Sequence, residues 1–311
     1  MIDNDAGGDD AMAIFYALLF EKNYNGPQVI GLTTSNGNTN EDNVYHNNQR
    51  ILKVARRQEV PIYRGSKASL VFTPPANATY GKDGLGDSGD VITDLVAARD
   101  QTAVLALIEM SKKYEGQLTV VTIGALTNVA LAISIDPDFM KRLQHLYIGA
   151  GHIYSDLNSL PETNARTDAE AYKIVVNNAS PDKVTILPYS QTKASLNMSK
   201  AWRENVLGAI DSDIMRAQNV YERISLTRSN RWHALDPATV AMALRPDLVQ
   251  EYRYSKNTII LCGEKRGIVT NDFVDRNEAN LRIIYWAKKE EYRQSLLDVF
   301  SSDATNNSFV H

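Results

Sequence analysis

Four aspartates fall close together at the start of the chain: Asp3, Asp5, Asp9 and Asp10 in MIDNDAGGDDAMAI, set around Gly7 and Gly8. Carboxylates at this spacing repel one another, so burying them together is costly unless a cation or hydrogen-bond donors compensate. Capping of the apolar helical stretch that follows accounts for Asp9 or Asp10, whose charge suits a helix N-terminus. It does not account for Asp3 and Asp5 as well. An all-oxygen ligand set suits a hard cation, Ca²⁺ or Mg²⁺. An EF-hand loop counted from Asp3 fails, because its fifth position is Gly7 and its twelfth is Ile14, where a bidentate Glu is required. A Mg²⁺-dependent phosphatase with Asp3 as nucleophile and Asp5 as acid is a second chemistry for the pair, although Gly7 and the Asp9–Asp10 doublet fall outside its usual motif. Far along the chain, Asp236-Pro237 adds a carboxylate where Asp is a good N-cap and Pro a good first helical residue.

The elements that must position these groups alternate. Val29–Thr33, Leu118–Ile123, Leu146–Gly149, Val184–Leu187 and Thr258–Leu261 read as buried strands. Helical periodicity runs near Asp10–Phe20, Asn43–Arg56, Ala103–Tyr114, Thr127–Ser134, Asp168–Val176 and Pro237–Leu244. Strands separated by helices imply βαβ units, hence an α/β fold with an open, mostly parallel central sheet covered by helices on both faces. Ligands of such sheets bind beyond the carboxyl ends of the strands. No linker or repeat divides the chain, so residues 1–311 read as one domain. The stretch Gly65–Asp90 reads as an irregular loop, 199–231 as a helical cap beside the sheet, and 301–311 as a polar, frayed tail. Only Met1 and Ile2 precede Asp3, so the first strand reads as truncated.

Composition narrows the partners. Of 311 residues, 43% are apolar and 23% charged, enough for a sizeable core, and the net charge of -4 leaves no basic stripe for nucleic acid or an anionic membrane. Cys262 is the single cysteine, which excludes an intrachain disulfide and a cysteine-based zinc site. No apolar run reaches the ~18 residues of a membrane span. No signal peptide precedes the first motif, which points to the cytoplasm, or to secretion if a longer N-terminus has been removed. The triplets at Asn77, Asn197 and Asn306 are glycosylation sequons of a kind common by chance.

The pattern Asp3-x-Asp5-x-Gly7-x-Asp9-Asp10, running into an apolar helix, resembles the nucleoside hydrolase family, of the inosine-uridine preferring or purine nucleosidase type. Further elements follow in the expected order: Asn36-Gly37-Asn38, the glycine-rich Gly81 to Gly86, Gly124-Ala125-Leu126-Thr127-Asn128, Gly149-Ala150-Gly151, Glu162-Thr163-Asn164, Asp168-Ala169-Glu170-Ala171, Leu235-Asp236-Pro237 and Arg266-Gly267. The resemblance implies hydrolysis of the N-glycosidic bond of ribonucleosides to free base and ribose. It implies a Ca²⁺ held by Asp5, Asp10, Asp236 and the carbonyl of Ile123, carrying a water whose proton Asp5 takes. Asp9, Asn38, Glu162, Asn164 and Asp236 would bind the ribose. Negative charge around an oxocarbenium-like sugar stabilises it over the neutral substrate. A homodimer or tetramer acting on a small nucleoside is implied as well.

The chain departs from the family pattern in places. Leu235 stands where a leaving-group histidine often precedes the late aspartate, and Tyr80 where the glycine-rich loop often begins with His. Trp232 and His233 lie a few residues off, so His233 is the candidate to reach the base, with Tyr80 and Trp232 as stacking partners. Without a clear acid, an easily protonated purine is favoured over uracil. Asp156 falls where a ribose-contacting Asn is usual, and Asn158 two residues on is the alternative. These departures also admit a catalytically silent nucleoside- or sugar-binding protein.

Overall fold

The computed structural model describes residues 1–89, 93–153 and 160–307, with side chains to 304. Its strands are β1 (Ile2–Asn4), β2 (Leu32–Thr34), β3 (Ile62–Tyr63), β4 (Thr119–Thr122), β5 (His145–Gly149), β6 (Val184–Leu187), β7 (Met198–Ser199), β8 (Arg231–Trp232), β9 (Val249–Ile259), β10 (Val269–Phe273) and β11 (Leu281–Ala287). Among the described residues, nine of them form one sheet in the order β10-β9-β11-β6-β5-β4-β1-β2-β3. From β11 to β3 every pairing is parallel, while β9 joins β11 and β10 antiparallel.

Side chains alternate across the sheet, as strand geometry requires. Ile2, Val121 and Tyr147 enter a core shared with the Gly8–Tyr24, Leu235–Leu244 and Lys289–Asn307 helices. Val120, Leu146 and Ile148 enter a second core beneath the Ala103–Lys113, Thr127–Ile135 and Ala169–Asn177 helices. Strand order reverses between β1 and β4, the switch point where an open α/β sheet leaves a crevice past its strands' carboxyl ends. Asp5 and Ile123 sit immediately beyond those two strands.

The mostly parallel sheet is as expected, but its margin differs. The Thr258–Leu261 strand is the end of the longer antiparallel β9, and β10 and β11 were not anticipated. β10 is short and largely polar, and β11, though Leu281, Ile283, Ile284 and Ala287 are buried, mixes these with Arg282, Tyr285 and Trp286 rather than forming a continuous β-branched run. β1 spans three residues, like β2, and is extended by Val121 N donating to Met1 O at 2.9 Å and the Met1 amine donating to Thr119 O at 2.8 Å. The 301–311 tail is not frayed at its start: the last helix continues to Asn307, carried by Tyr292, Leu296, Val299 and Phe300 on its buried side.

Residues 199–231 form the cap: the Lys200–Trp202 turn, a π-helical turn Arg203–Leu207, the Asp213–Tyr221 helix and a 3₁₀ turn Ser225–Thr227, closed off by β7 pairing with β8. The cap is pinned by a buried ion pair, Arg203 Nε donating to Glu222 Oε2 at 2.7 Å, and by Gln218 Nε2 donating to Gly8 O at 2.7 Å. No described helix is long and apolar enough to cross a membrane.

Candidate active site

The turn from β1 into the first helix is shaped by Asp10. Its Oδ1 accepts from Asp5 N at 3.1 Å and its Oδ2 from Gly7 N at 2.7 Å, so one carboxylate satisfies two otherwise orphaned amides. Asn38, arriving past the end of β2, donates its backbone N–H to Asp5 Oδ2 at 2.7 Å, and its Nδ2 reaches Asp5 Oδ1 and Asp10 Oδ2 at 3.1 Å each. Gly37 is obligatory here: a Cβ would lie 1.8 Å from Asp5 Oδ2. The tight packing explains why Asn36-Gly37-Asn38 carries a glycine between two amides.

Ligand oxygens of Asp9, Asp10 and Asp236 converge within 4.8 Å of one another. Burial, then mutual repulsion, drives the Asp10 and Asp236 carboxyls well above the usual carboxylate range. Burial also lifts Asp9 to about 6, with the Glu222 charge adding to it and a Tyr80 hydrogen bond opposing it. Asp9 Oδ1 is buried and has no hydrogen-bond partner among the described residues. An orphaned carboxylate oxygen beside two more carboxylates is a site that gains from a hard cation, and the donor set of oxygens alone fits one. Asp236 lies in the first turn of its helix, with Ala234 rather than Asp236 at the N-cap, so its carboxylate is free for the cluster.

Asp10 and Asp236, both expected as ligands, belong to this cluster together with Asp9, which was expected on the ribose, and Asp5 lies beside it. Both Asp5 oxygens are engaged by Asn38. Asp5 is nonetheless close enough to raise the proton affinity of Asp10 and Asp236, and burial lifts its own to about 7. The Ile123 carbonyl accepts from Asn164 Nδ2 at 2.9 Å.

Above the carboxylates lies a cavity of about 280 Å³. Asp9, Asn38, Ile123 and Asp236 line its floor, and Glu162 and Asn164 one wall. Glu162 caps the Thr163–Thr167 helix, accepting from Asn164 N at 2.9 Å and Ala165 N at 3.1 Å, and also takes Gly151 N at 2.8 Å. Asn164 Nδ2 bridges the carbonyls of Ile123 and Gly149, 2.9 Å each, tying the ends of β4 and β5 together. Tyr80 closes another side, its ring so near the first turn that a Cβ on Gly7 or Gly8 would stand 2.7 Å from it.

The far end of the cavity carries His152, Tyr189 and His233. Tyr189 and His152 were not anticipated, yet each immediately follows the end of a parallel strand region, β6 through Pro188 and β5 through Ala150 and Gly151. The carboxyl-end rule alone would have flagged them. Trp232 does not line the cavity, contrary to expectation. Its Nε1 donates to Glu222 Oε1 at 2.7 Å and its ring packs 6.1 Å from Trp202 in the cap core. Consecutive extended residues face opposite ways, so burying Trp232 in the cap turns His233 towards the cavity. Asp156 and Asn158 lie outside the described residues.

Asp3 is unsuited to nucleophilic attack. Its oxygens accept from Thr33 Oγ1 at 2.6 Å, Asn128 Nδ2 at 2.8 Å and Thr122 Oγ1 at 3.3 Å, so it braces β1 against its neighbours. The phosphatase reading loses its nucleophile there.

A family model described as inosine-uridine preferring nucleoside hydrolase matches residues 1–294. A probable uridine nucleosidase 2 of Arabidopsis thaliana is 36% identical over 182 residues, 56% of this chain and 54% of that protein. Uridine nucleosidase 1 of the same plant is 27% identical over 279 residues, 83% of this chain and 76% of the relative. The chain spans about half the length of the first curated relatives it matches, 54% and 52%. Among solved structures, a plant nucleoside hydrolase superposes with a TM-score of 0.83 at 26% identity, covering 96% of this chain and 98% of that one. An inosine-guanosine nucleoside hydrolase reaches 0.86 at 24% identity over 96% and 97% of the two chains, a likeness of fold.

Proposed function

The chain belongs to the inosine-uridine preferring nucleoside hydrolase family, and from that premise we propose that it hydrolyses the N-glycosidic bond of ribonucleosides to free base and ribose. The observation that carries this reading is the Asp9, Asp10 and Asp236 cluster at a cavity also lined by Glu162, Asn164 and the rings of Tyr80, His152, Tyr189 and His233.

We propose Ca²⁺ as the ion, held by Asp9, Asp10 and Asp236. When bound, it supplies Lewis-acid polarisation of oxygen ligands and a fixed positive charge for a vicinal diol. Asp5 is the proposed general base: its buried carboxylate lies beside the acidic cluster, and burial raises its proton affinity to about 7. Asn38, carrying its amide between Asp5 and Asp10, orients that base and offers its remaining oxygen to a ribose hydroxyl. Glu162 and Asn164 set the opposite wall, and the surrounding carboxylates favour the cationic sugar of the transition state over its neutral ground state. His233 meets the departing base.

Purine nucleosides are the favoured substrates in this reading, because the Tyr80, His152 and Tyr189 rings offer stacking to a large leaving group. The uridine nucleosidases among the relatives favour a second reading, pyrimidine nucleosides. Ribose release from inosine and from uridine, with and without chelator, decides both points. Chelator-sensitive release of ribose supports hydrolysis, the faster substrate sets the base class, and binding of inosine without release supports a silent binding protein.

A further inference from the structure

Leu235 stands beside Asp236, so the leaving-group end of the cavity takes its polar groups from other elements. The Tyr189 ring stacks on His152, with centroids 5.9 Å apart and planes 26° apart, and meets His233 edge-on at 5.7 Å and 81°. Its hydroxyl oxygen lies 3.2 Å from His233 Nδ1. Lys193, one turn on in the Tyr189–Ser195 helix, places its ammonium 4.4 Å from the centroid of the Tyr189 ring.

These contacts dictate the direction of the hydrogen bond. A phenol donates better than it accepts, because its oxygen lone pair is delocalised into the ring, and a neutral imidazole nitrogen is a good acceptor. The cation over the ring strengthens the phenol as a donor. Nδ1 is the partner of the hydroxyl among the described residues. The O–H therefore points at Nδ1, and a neutral His233 must carry its own proton on Nε2. Burial, with the nearby Lys193 charge, lowers the imidazole from its usual 6.5 against a hydrogen bond to the residue's own backbone, and so favours the neutral form.

We propose that Tyr189 is a positioning residue that locks His233 in the Nε2–H tautomer, so that a donor faces the departing base. This rests on the hydrolytic reading above. As the C1′–N bond breaks, its electron pair stays with the base, and the Nε2–H hydrogen bond stabilises that developing charge. Tyr189 spends its hydroxyl on His233 and touches no reacting atom. Without it the ring is free to turn or to tautomerise, and the donor is present only part of the time.

The test compares two leaving groups in wild type and Tyr189→Phe, which keeps the ring that packs between His152 and Lys193. A nucleoside needs help for its base to leave, whereas p-nitrophenyl β-D-riboside expels a stable phenolate without it. Tyr189→Phe is expected to lower kcat on the nucleoside about 30-fold with little change in KM, and to slow the nitrophenyl riboside by no more than about threefold. Equal losses on both substrates, or no loss on either, overturn the proposal. Wild type that cleaves neither overturns the hydrolytic reading and this one with it. Nitrogen-15 NMR of the ligand-free protein is a check that needs no turnover, and five histidines keep it tractable. A proton on His233 Nε2, redistributed in Tyr189→Phe, supports the proposal, and a proton on Nδ1 in wild type refutes it.

Discussion

Replacing Asp236 by Asn sets the two roles of its carboxylate against each other. Ligand-free, Asp236 faces the charges of Asp9, Asp10 and Asp5, and it shares a hydrogen bond with Asp9 that demands a proton on one partner. Asparagine keeps the shape and can donate to Asp9 as the protonated acid does. The ligand oxygens lie within 4.8 Å of one another, where at an effective dielectric constant of about 20 a fully ionised pair costs at least about 3.5 kcal/mol, a cost that sharing a proton relieves to about 1–2 kcal/mol at neutral pH. The variant should therefore melt at or above wild type in chelator. With a divalent ion the order reverses. An ion at 100 times its Kd stabilises wild type by about 2.7 kcal/mol, or about 4 °C in Tm, and a cluster short of one carboxylate should gain well under half of that. Thermal denaturation of both proteins in chelator and in a calcium series reads both effects. Lower stability of Asp236→Asn in chelator, with an undiminished gain from calcium, would refute the reasoning.

Gly37→Ala should drive a methyl into Asp5 and cost about 100-fold in kcat/KM with the fold intact by circular dichroism; activity within threefold of wild type would show that Asp5 need not sit where it does. Arg203→Met strips the buried Glu222 carboxylate of its partner, so stability should fall by about 3–5 kcal/mol, a loss of about 5–8 °C in Tm. An unchanged melting point would mean that the cap is not pinned by this pair. Burial and the Arg282 charge lower the His145 imidazole from 6.5 to about 4, so the folded state refuses a proton that the unfolded chain accepts. Its contribution is present above about pH 6.5 and is lost as pH falls towards 4. His145→Gln should remove that loss, narrowing its deficit against wild type between pH 7 and pH 4.5; a gap independent of pH would contradict this sign.

The local part of the site was legible in the sequence. Asp5, Asp9, Asp10 and Asn38 lie on short turns, where residue order maps directly onto space, and the parallel strands announce themselves as buried β-branched runs. What depends on tertiary context was not legible. That Asn38, arriving from another strand, donates to both Asp5 oxygens is a contact no local pattern reveals. Trp232 and His233 are adjacent in sequence, and only the cap core selects which of them turns inward. Glu162, read as a sugar ligand, also proves to be the N-cap of a helix, a role set by the fold of the loop around it. Most of β9, and β10 and β11, escaped because β9 and β10 are rich in polar residues, β11 breaks its apolar residues with Arg282, and, among the described residues, no helix separates these three strands.

The central claim is tested most directly by stripping the protein of ions and returning Ca²⁺ stepwise, with bound ion per chain and ribose release from inosine measured on the same samples. Ribose release should rise in step with a single ion per chain and fail in Asp10→Asn and Asp236→Asn. Full release by ion-free protein, or tight ion binding that survives loss of both carboxylates, would contradict the account.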